Sequence, residues 1–176
     1  ELLEPRVGVV GVAPAATVMP LKVMATNGAM STSAIYAALV YAADNGARVM
    51  NCSWLSDSLA VLKAAMDYAV GEKRLVAAVA AGNTGGSENQ KLNYLSRRDD
   101  CIDVAAVDRR GFLCQVSAAG LWVDVSAPGQ LILSTVPTFF GHDYNLYRDG
   151  ATSWAAPYVA AAAALNGPDD CIQEMR

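Results

Sequence analysis

The sequence predicts an α/β domain in three layers, a mostly parallel, doubly wound sheet with helices on both faces. Three observations predict it. Short apolar runs alternate with amphipathic stretches along the whole chain, the pattern of strands buried on both sides by crossover helices. The 176 residues suffice for one domain with a sizeable core and are too few for two comfortable ones. Apolar side chains make up 53% of the chain and charged ones only 17%, so most of it expects burial.

The elements follow in order. Ala16 to Met24 reads as a first strand, provided Pro20 sits where no ladder bond is donated. Ser31 to Ala43 reads as a helix with Ile35, Ala38, Leu39 and Ala42 on one face, ended by Asn45-Gly46. Arg48 to Trp54 is the next strand. Ser56 to Val70 carries Leu59, Leu62, Met66 and Ala69 at helical spacing, with Ser56 or Ser58 as cap and Gly71 as stop. Leu75 to Ala81 is a buried strand, and Gly82 to Arg98 a polar, glycine-rich loop of functional length. Strands are expected at Cys101 to Val107, Phe112 to Ala118, Val123 to Ser126 and Ile132 to Val136, then an irregular segment from Pro137 to Gly150. An alanine-rich helix from about Ser153 to Leu165 is stopped by Asn166-Gly167-Pro168.

Composition excludes several functions. Thirteen basic against seventeen acidic residues give a net charge of −4, no footprint for nucleic acid or an anionic lipid surface. No run approaches the roughly 18 apolar residues of a spanning helix, and Val159 to Leu165 is mostly alanine. Glu1 to Arg6 shows neither the basic nor the apolar region of an export signal. Cys52, Cys101, Cys114 and Cys171 contain no CxxC pair, and one histidine cannot complete a zinc set. Cys52 and Cys101 lie in strand-like runs and read as buried free thiols, though the four could pair in three ways. Gly8-Val9-Val10-Gly11 is not a dinucleotide fingerprint, and no phosphate-binding lysine loop occurs.

Two small-residue segments could carry chemistry. In Gly150-Ala151-Thr152-Ser153-Trp154-Ala155-Ala156-Pro157 a proline follows closely on a serine. Proline is tolerated in a first helical turn, which sets Ser153 near a helix N-terminus among orphan N–H donors. A hydroxyl there suits a nucleophile whose attack creates an oxyanion, and equally suits a plain N-cap. Ala80-Ala81-Gly82-Asn83 follows a buried strand, so Asn83 stands at the carboxyl edge where sites of wound sheets form; it could donate its amide there or simply begin a turn.

Together these segments resemble the subtilase family of subtilisin-like serine proteases. Gly8 to Pro14 with Pro20-Leu21-Lys22-Val23 is similar to the stretch after that family's histidine helix. Asn51-Cys52-Ser53-Trp54 is similar to its substrate-binding strand end, Ala81-Gly82-Asn83 to its oxyanion asparagine, Ala127-Pro128-Gly129 to a recurrent loop, and Thr152 to Pro157 to its nucleophile motif. Any one motif is weak, and their order and spacing make them strong. The resemblance implies a subtilisin-like serine endopeptidase acting on polypeptides through an acyl-enzyme, with Ser153 as nucleophile and Asn83 as oxyanion donor. It implies Ser53, Trp54 and Leu55 as one wall of the pocket before the scissile bond and Ala80, Ala81 and Gly82 as the other. Leu55 and Ala151 depart from it, each standing where glycine is usual.

The family's aspartate and histidine motifs are missing, and His142, eleven residues before Ser153, matches neither. A lone serine hydroxyl is a poor nucleophile without a base. The resemblance therefore implies that the chain is roughly the last two-thirds of a catalytic domain, inert alone, whose upstream segment supplies acid and base. That segment includes the strand lying between the runs Ala16 to Met24 and Arg48 to Trp54. The alternative is an inactive binding or scaffold module. Secretion is the family's habit. Calcium is common in it, but its best-known loop is not recognisable between Glu1 and Arg6, and no other cofactor is implied.

Overall fold

The computed structural model describes residues 8–85, 93–141 and 143–166. Helix α1 (Thr32–Asp44) starts where the Ser31 side chain accepts from the Ala34 N–H, and it buries Ile35, Leu39, Ala42 and Ala43. It ends where Asn45 folds its side-chain amide onto the Tyr41 carbonyl at 2.8 Å, before Gly46 at φ +80°. Strands β1 (Val49–Cys52), β2 (Val76–Ala80), β3 (Ile102–Val107) and β4 (Val125–Pro128) form one parallel sheet in that order. The register sets Cys52 opposite Val79, Val79 opposite Asp103, and Ala106 opposite Ala127.

Period-two alternation divides the core. Ala77 and Val79 of β2 join Met50, Cys52, α1 and helix α2 (Ala60–Met66) on one face. Val76, Ala78 and Ala80 join Val104, Ala106 and Ala127 on the other, beneath Ala155, Ala156 and Ala163 of helix α3 (Thr152–Asn166). The expected three-layer, mostly parallel α/β architecture is present, and α3 lies across all four strands. The stopping signal Asn166-Gly167-Pro168 runs outside the described residues from Gly167 onward.

Several elements differ from expectation. Ala16 to Met24 is not a strand. It makes one antiparallel bridge, Met24 to Met30, because no described strand stands beside it to receive a ladder. Ser56 does not cap α2; its N–H and hydroxyl both bind Asn93 Oδ1, and the cap position is held by Leu59 without a side-chain bond. Gly71 does not end the helix, which widens into a π turn over Asp67–Glu72 and exits through Arg74 at φ +63°. Phe112 to Ala118 is not a strand either, despite its β-forming residues. Both edges of β3 are already taken by β2 and β4, so the segment curls over the end of the sheet. It is held by a Cys114 N–H to Ala106 carbonyl bond of 2.9 Å and by Ser117 Oγ on the Ala106 N–H at 2.9 Å. The segment expected to be irregular contains strand β6 (Tyr144–Tyr147), which pairs antiparallel with β5 (Ile132–Thr135).

Cys52, Cys101 and Cys114 are buried and free, and Cys171 lies outside the described residues. Burial pushes the Cys52 thiol up to about 12 and raises those of Cys101 and Cys114 as well, so none is a thiolate nucleophile at neutral pH.

Candidate active site

The sheet's carboxyl edge gathers the proposed residues. Because Cys52 and Val79 are register partners, the chain leaves β1 through Ser53, Trp54 and Leu55 beside the point where it leaves β2 through Ala81 and Gly82. Ala80 and Ala81 are buried, Trp54 packs partly into the core under α1, and Leu55 is 60% exposed. The two exits are tied together from below by Asn93, which sequence reasoning did not single out. Only 3% exposed, it donates its amide to the Trp54 carbonyl at 3.1 Å and to the Ala80 carbonyl at 3.4 Å.

Gly82 turns the chain at φ +118°, a conformation reserved for glycine, and so aims Asn83 toward the start of α3. Asn83 Oδ1 accepts from the Thr152 N–H at 2.8 Å and from Thr152 Oγ1 at 2.9 Å. Thr152 Oγ1 in turn accepts from the Gly82 N–H at 3.1 Å. With its oxygen held by Thr152, the Asn83 carboxamide keeps Nδ2 as its donor. Thr152, fully buried, stands in the serine motif without a role assigned from the sequence; it joins the two motifs.

Ser153 is the second residue of α3, in the first turn where backbone N–H groups lack helical partners. Its hydroxyl rests 3.4 Å from the Ser53 carbonyl, a weak contact that leaves it available. The turn before it is clamped by Gly129, whose carbonyl accepts from the Ala151 N–H at 2.9 Å. A side chain at Gly129 would meet the Ala106 Cβ at 2.5 Å and the Ala151 carbonyl at 2.7 Å, so glycine there is required by proximity. Ala151 is not among the residues with positive φ, so its methyl group is accommodated in ordinary backbone.

Pro157 is not in the first turn, as its spacing from Ser153 suggested, because α3 already begins at Thr152. It stands four residues after Ser153, so the N–H that would close a helical turn onto the Ser153 carbonyl does not exist. Ser53 Oγ fills that place at 3.0 Å.

The sequence model of the Subtilase family matches residues 4–167. The chain belongs to the subtilase family. Among the subtilases it resembles, a thermophilic serine proteinase of Bacillus sp. strain AK1 is 39% identical over 160 residues, covering 90% of this chain and 37% of that protein. Subtilisin DY of Bacillus licheniformis is 38% identical over 168 residues, 93% of this chain and 58% of the relative. The crystal structure of a cold adapted subtilisin-like serine proteinase superposes with a TM-score of 0.70 at 25% identity, over 82% of this chain and 51% of that one. The chain thus spans less than two-thirds of the length of these subtilases.

Ser153 and Asn83 thus lie at one edge of the sheet, linked through Thr152, while His142, the sequence's one histidine, lies outside the described residues. Among the described residues no three or more His, Cys, Asp or Glu side chains gather into a metal-holding group. None of the described helices is long and apolar enough to cross a membrane.

Proposed function

We propose that this chain is the nucleophile-bearing portion of a secreted subtilisin-like endopeptidase. Ser153 attacks the peptide carbonyl, Asn83 Nδ2 and the Ser153 N–H at the head of α3 stabilise the tetrahedral oxyanion, and an acyl-enzyme forms on Ser153. Ser53 to Leu55 and Ala80 to Gly82 hold the substrate residue before the scissile bond. The acid and base come from an upstream segment of the same catalytic domain, and no metal or other cofactor enters the chemistry.

The observation that carries this reading is the doubly bonded Thr152–Asn83 contact, which holds the carboxamide against the residue preceding the serine. An N-cap serine and a turn asparagine with unrelated roles would have no need of it. A second observation supports the upstream partner. Along the edge of β1 away from β2 runs a groove of about 800 Å³, lined by Leu21, Val23, Leu39 and Met50 on one side and Ala160 and Ala164 on the other. A further parallel strand seated there would satisfy the β1 edge and bring a carboxylate and an imidazole to the Ser153 side of the sheet.

The test is labelling by a fluorophosphonate of the full-length gene product, its Ser153→Ala form and this chain alone. Reaction of the full-length product at Ser153 and of neither other species is the expected result. A full-length product that stays unlabelled and hydrolyses no casein overturns the reading in favour of an inactive binding module.

A further inference from the structure

We propose that Asn51 is a positioning residue for Ser153 and acts through the Ser53 hydroxyl. The inference deepens the protease reading and rests on it. Its origin is the gap left inside α3 by Pro157: the Ser153 carbonyl, lacking a helical donor, takes the Ser53 Oγ proton at 3.0 Å instead. That bond orients the peptide plane between Ser153 and Trp154, and with it the direction in which the Ser153 hydroxyl projects.

A hydroxyl has one proton on a free rotor and places it where its neighbours direct. Ser53 Oγ has two acceptors in reach, the Ser153 carbonyl at 3.0 Å and Asn51 Oδ1 at 3.2 Å. Asn51 decides between them. Its Nδ2 donates to Ser53 Oγ at 3.0 Å, occupying a lone pair and leaving the hydroxyl proton for the shorter contact, the Ser153 carbonyl. The Ser53 carbonyl in turn faces the Ser153 hydroxyl at 3.4 Å. The end of β1 and the mouth of α3 are thus joined by reciprocal contacts between two serines, with their polarity set by one carboxamide.

Among the described residues the side-chain bonds of Asn51 go to Ser53. Asn51 is exposed, between the buried Met50 and Cys52, and borders the groove beside β1. It packs into neither core cluster, so its value lies in what it bonds. Small displacements of a nucleophile are costly in rate, which is why such a contact matters to turnover more than to folding.

The experiment uses the full-length gene product, reading kcat and KM on a peptide substrate together with the rate of fluorophosphonate labelling. Asn51→Ala should lower kcat and the labelling rate about three- to tenfold with KM unchanged, the scale of one lost hydrogen bond. Asn51→Asp, whose carboxylate can only accept, should draw the Ser53 proton away and cost at least as much. In a Ser53→Ala background, Asn51→Ala should cost nothing further, because the two act in series. In a Pro157→Ala background, which returns an N–H to the Ser153 carbonyl, the loss should shrink below about twofold. A labelled parent whose Asn51→Ala form is as fast, or whose loss is the same with and without Ser53, overturns this assignment alone. An unlabelled parent overturns the protease reading and this assignment with it.

Discussion

Replacing Thr152 by valine removes a hydroxyl while nearly keeping the shape of the side chain, and the structure lets its cost be worked out. Thr152 is fully buried. Its Oγ1 gives one hydrogen bond to Asn83 Oδ1 at 2.9 Å and receives one from the Gly82 N–H at 3.1 Å. Valine leaves that N–H buried without this acceptor, costing about 1–3 kcal/mol, and forfeits the bond to Asn83, about 1 kcal/mol more. The sum, about 2–4 kcal/mol, corresponds to a fall in Tm of roughly 5–15 °C for a chain of this size. Asn83 keeps its bond to the Thr152 N–H at 2.8 Å but loses its second anchor, so its amide is less well held for an oxyanion. The labelling rate of Ser153 in the full-length product should fall about tenfold. Thr152→Ser keeps both bonds, gives up one methyl group worth about 1 kcal/mol, and should label close to the parent rate. Calorimetry and labelling on the same preparations decide the matter. A valine form as stable and as reactive as the parent, or a serine form as damaged as the valine form, would refute the reasoning.

Further outcomes follow from other contacts. Asn83→Ala should lower kcat about 10²–10³-fold with little change in KM, a magnitude measured in a subtilisin itself and carried over to this chain. Asn93→Ala should separate the two pocket walls and raise KM for peptide substrates severalfold, checked by steady-state kinetics. Gly129→Ala should destabilise by about 1–3 kcal/mol, since its methyl group collides with Ala106 and Ala151, and urea unfolding would measure it. Asp103 is 2% exposed, and burial first, then the nearby Asp124, pushes its carboxyl up to about 8. The folded protein therefore retains a proton that the unfolded chain releases near pH 4, so the contribution of Asp103 to stability is full below that pH and is lost as pH rises from about 4 to about 8, by up to about 6 kcal/mol. Asp103→Asn should flatten that part of the slope, and parallel slopes in parent and variant between about pH 4 and about pH 8 would contradict it.

The sequence was most legible where local signals and long-range packing agree. The run Leu75 to Ala81 is short, apolar and flanked by turns, and β2 forms within it, buried at every position. The helix read from Ser31 to Ala43 forms as α1 within one residue at each end, with Ser31 as its cap. The reading failed where the partner, not the segment, decides. Phe112 to Ala118 has strand-forming residues but folds onto β3, whose two edges are already taken, and Ala16 to Met24 lacks a neighbouring strand among the described residues. Ser56 looked like a cap because its hydroxyl can serve one, yet Asn93, far along the sequence, takes it instead. At the site, the motifs single out Ser153 and Asn83; Thr152 and Asn51 stand inside motifs without an assigned role, and Asn93 is not marked at all. Thr152 and Asn93 act through hydrogen bonds between distant segments, which no spacing in one chain encodes, and Asn51 acts on Ser53 two residues on, whose own partner in α3 is equally distant in sequence. Pro157 carried a readable signal, since a proline four residues on marks a carbonyl in want of a donor.

The layer between α3 and the sheet is rich in methyl groups, Ala155, Ala156 and Ala163 above and Ala78, Ala80, Ala106 and Ala127 below, with Val76, Ile102 and Val104 among them. Short side chains let α3 sit close to the strands, and the Ser153 hydroxyl rides on that helix. Enlarging one of these buried alanines would press the helix outward, and reducing one of those in the helix to glycine would weaken it. On the proposed reading, changes in this layer should register as lost turnover, whereas exposed positions such as Leu55 or Phe139 leave room for change. An engineer seeking new specificity in this protein would do well to leave its thinnest seam alone and work on the rim.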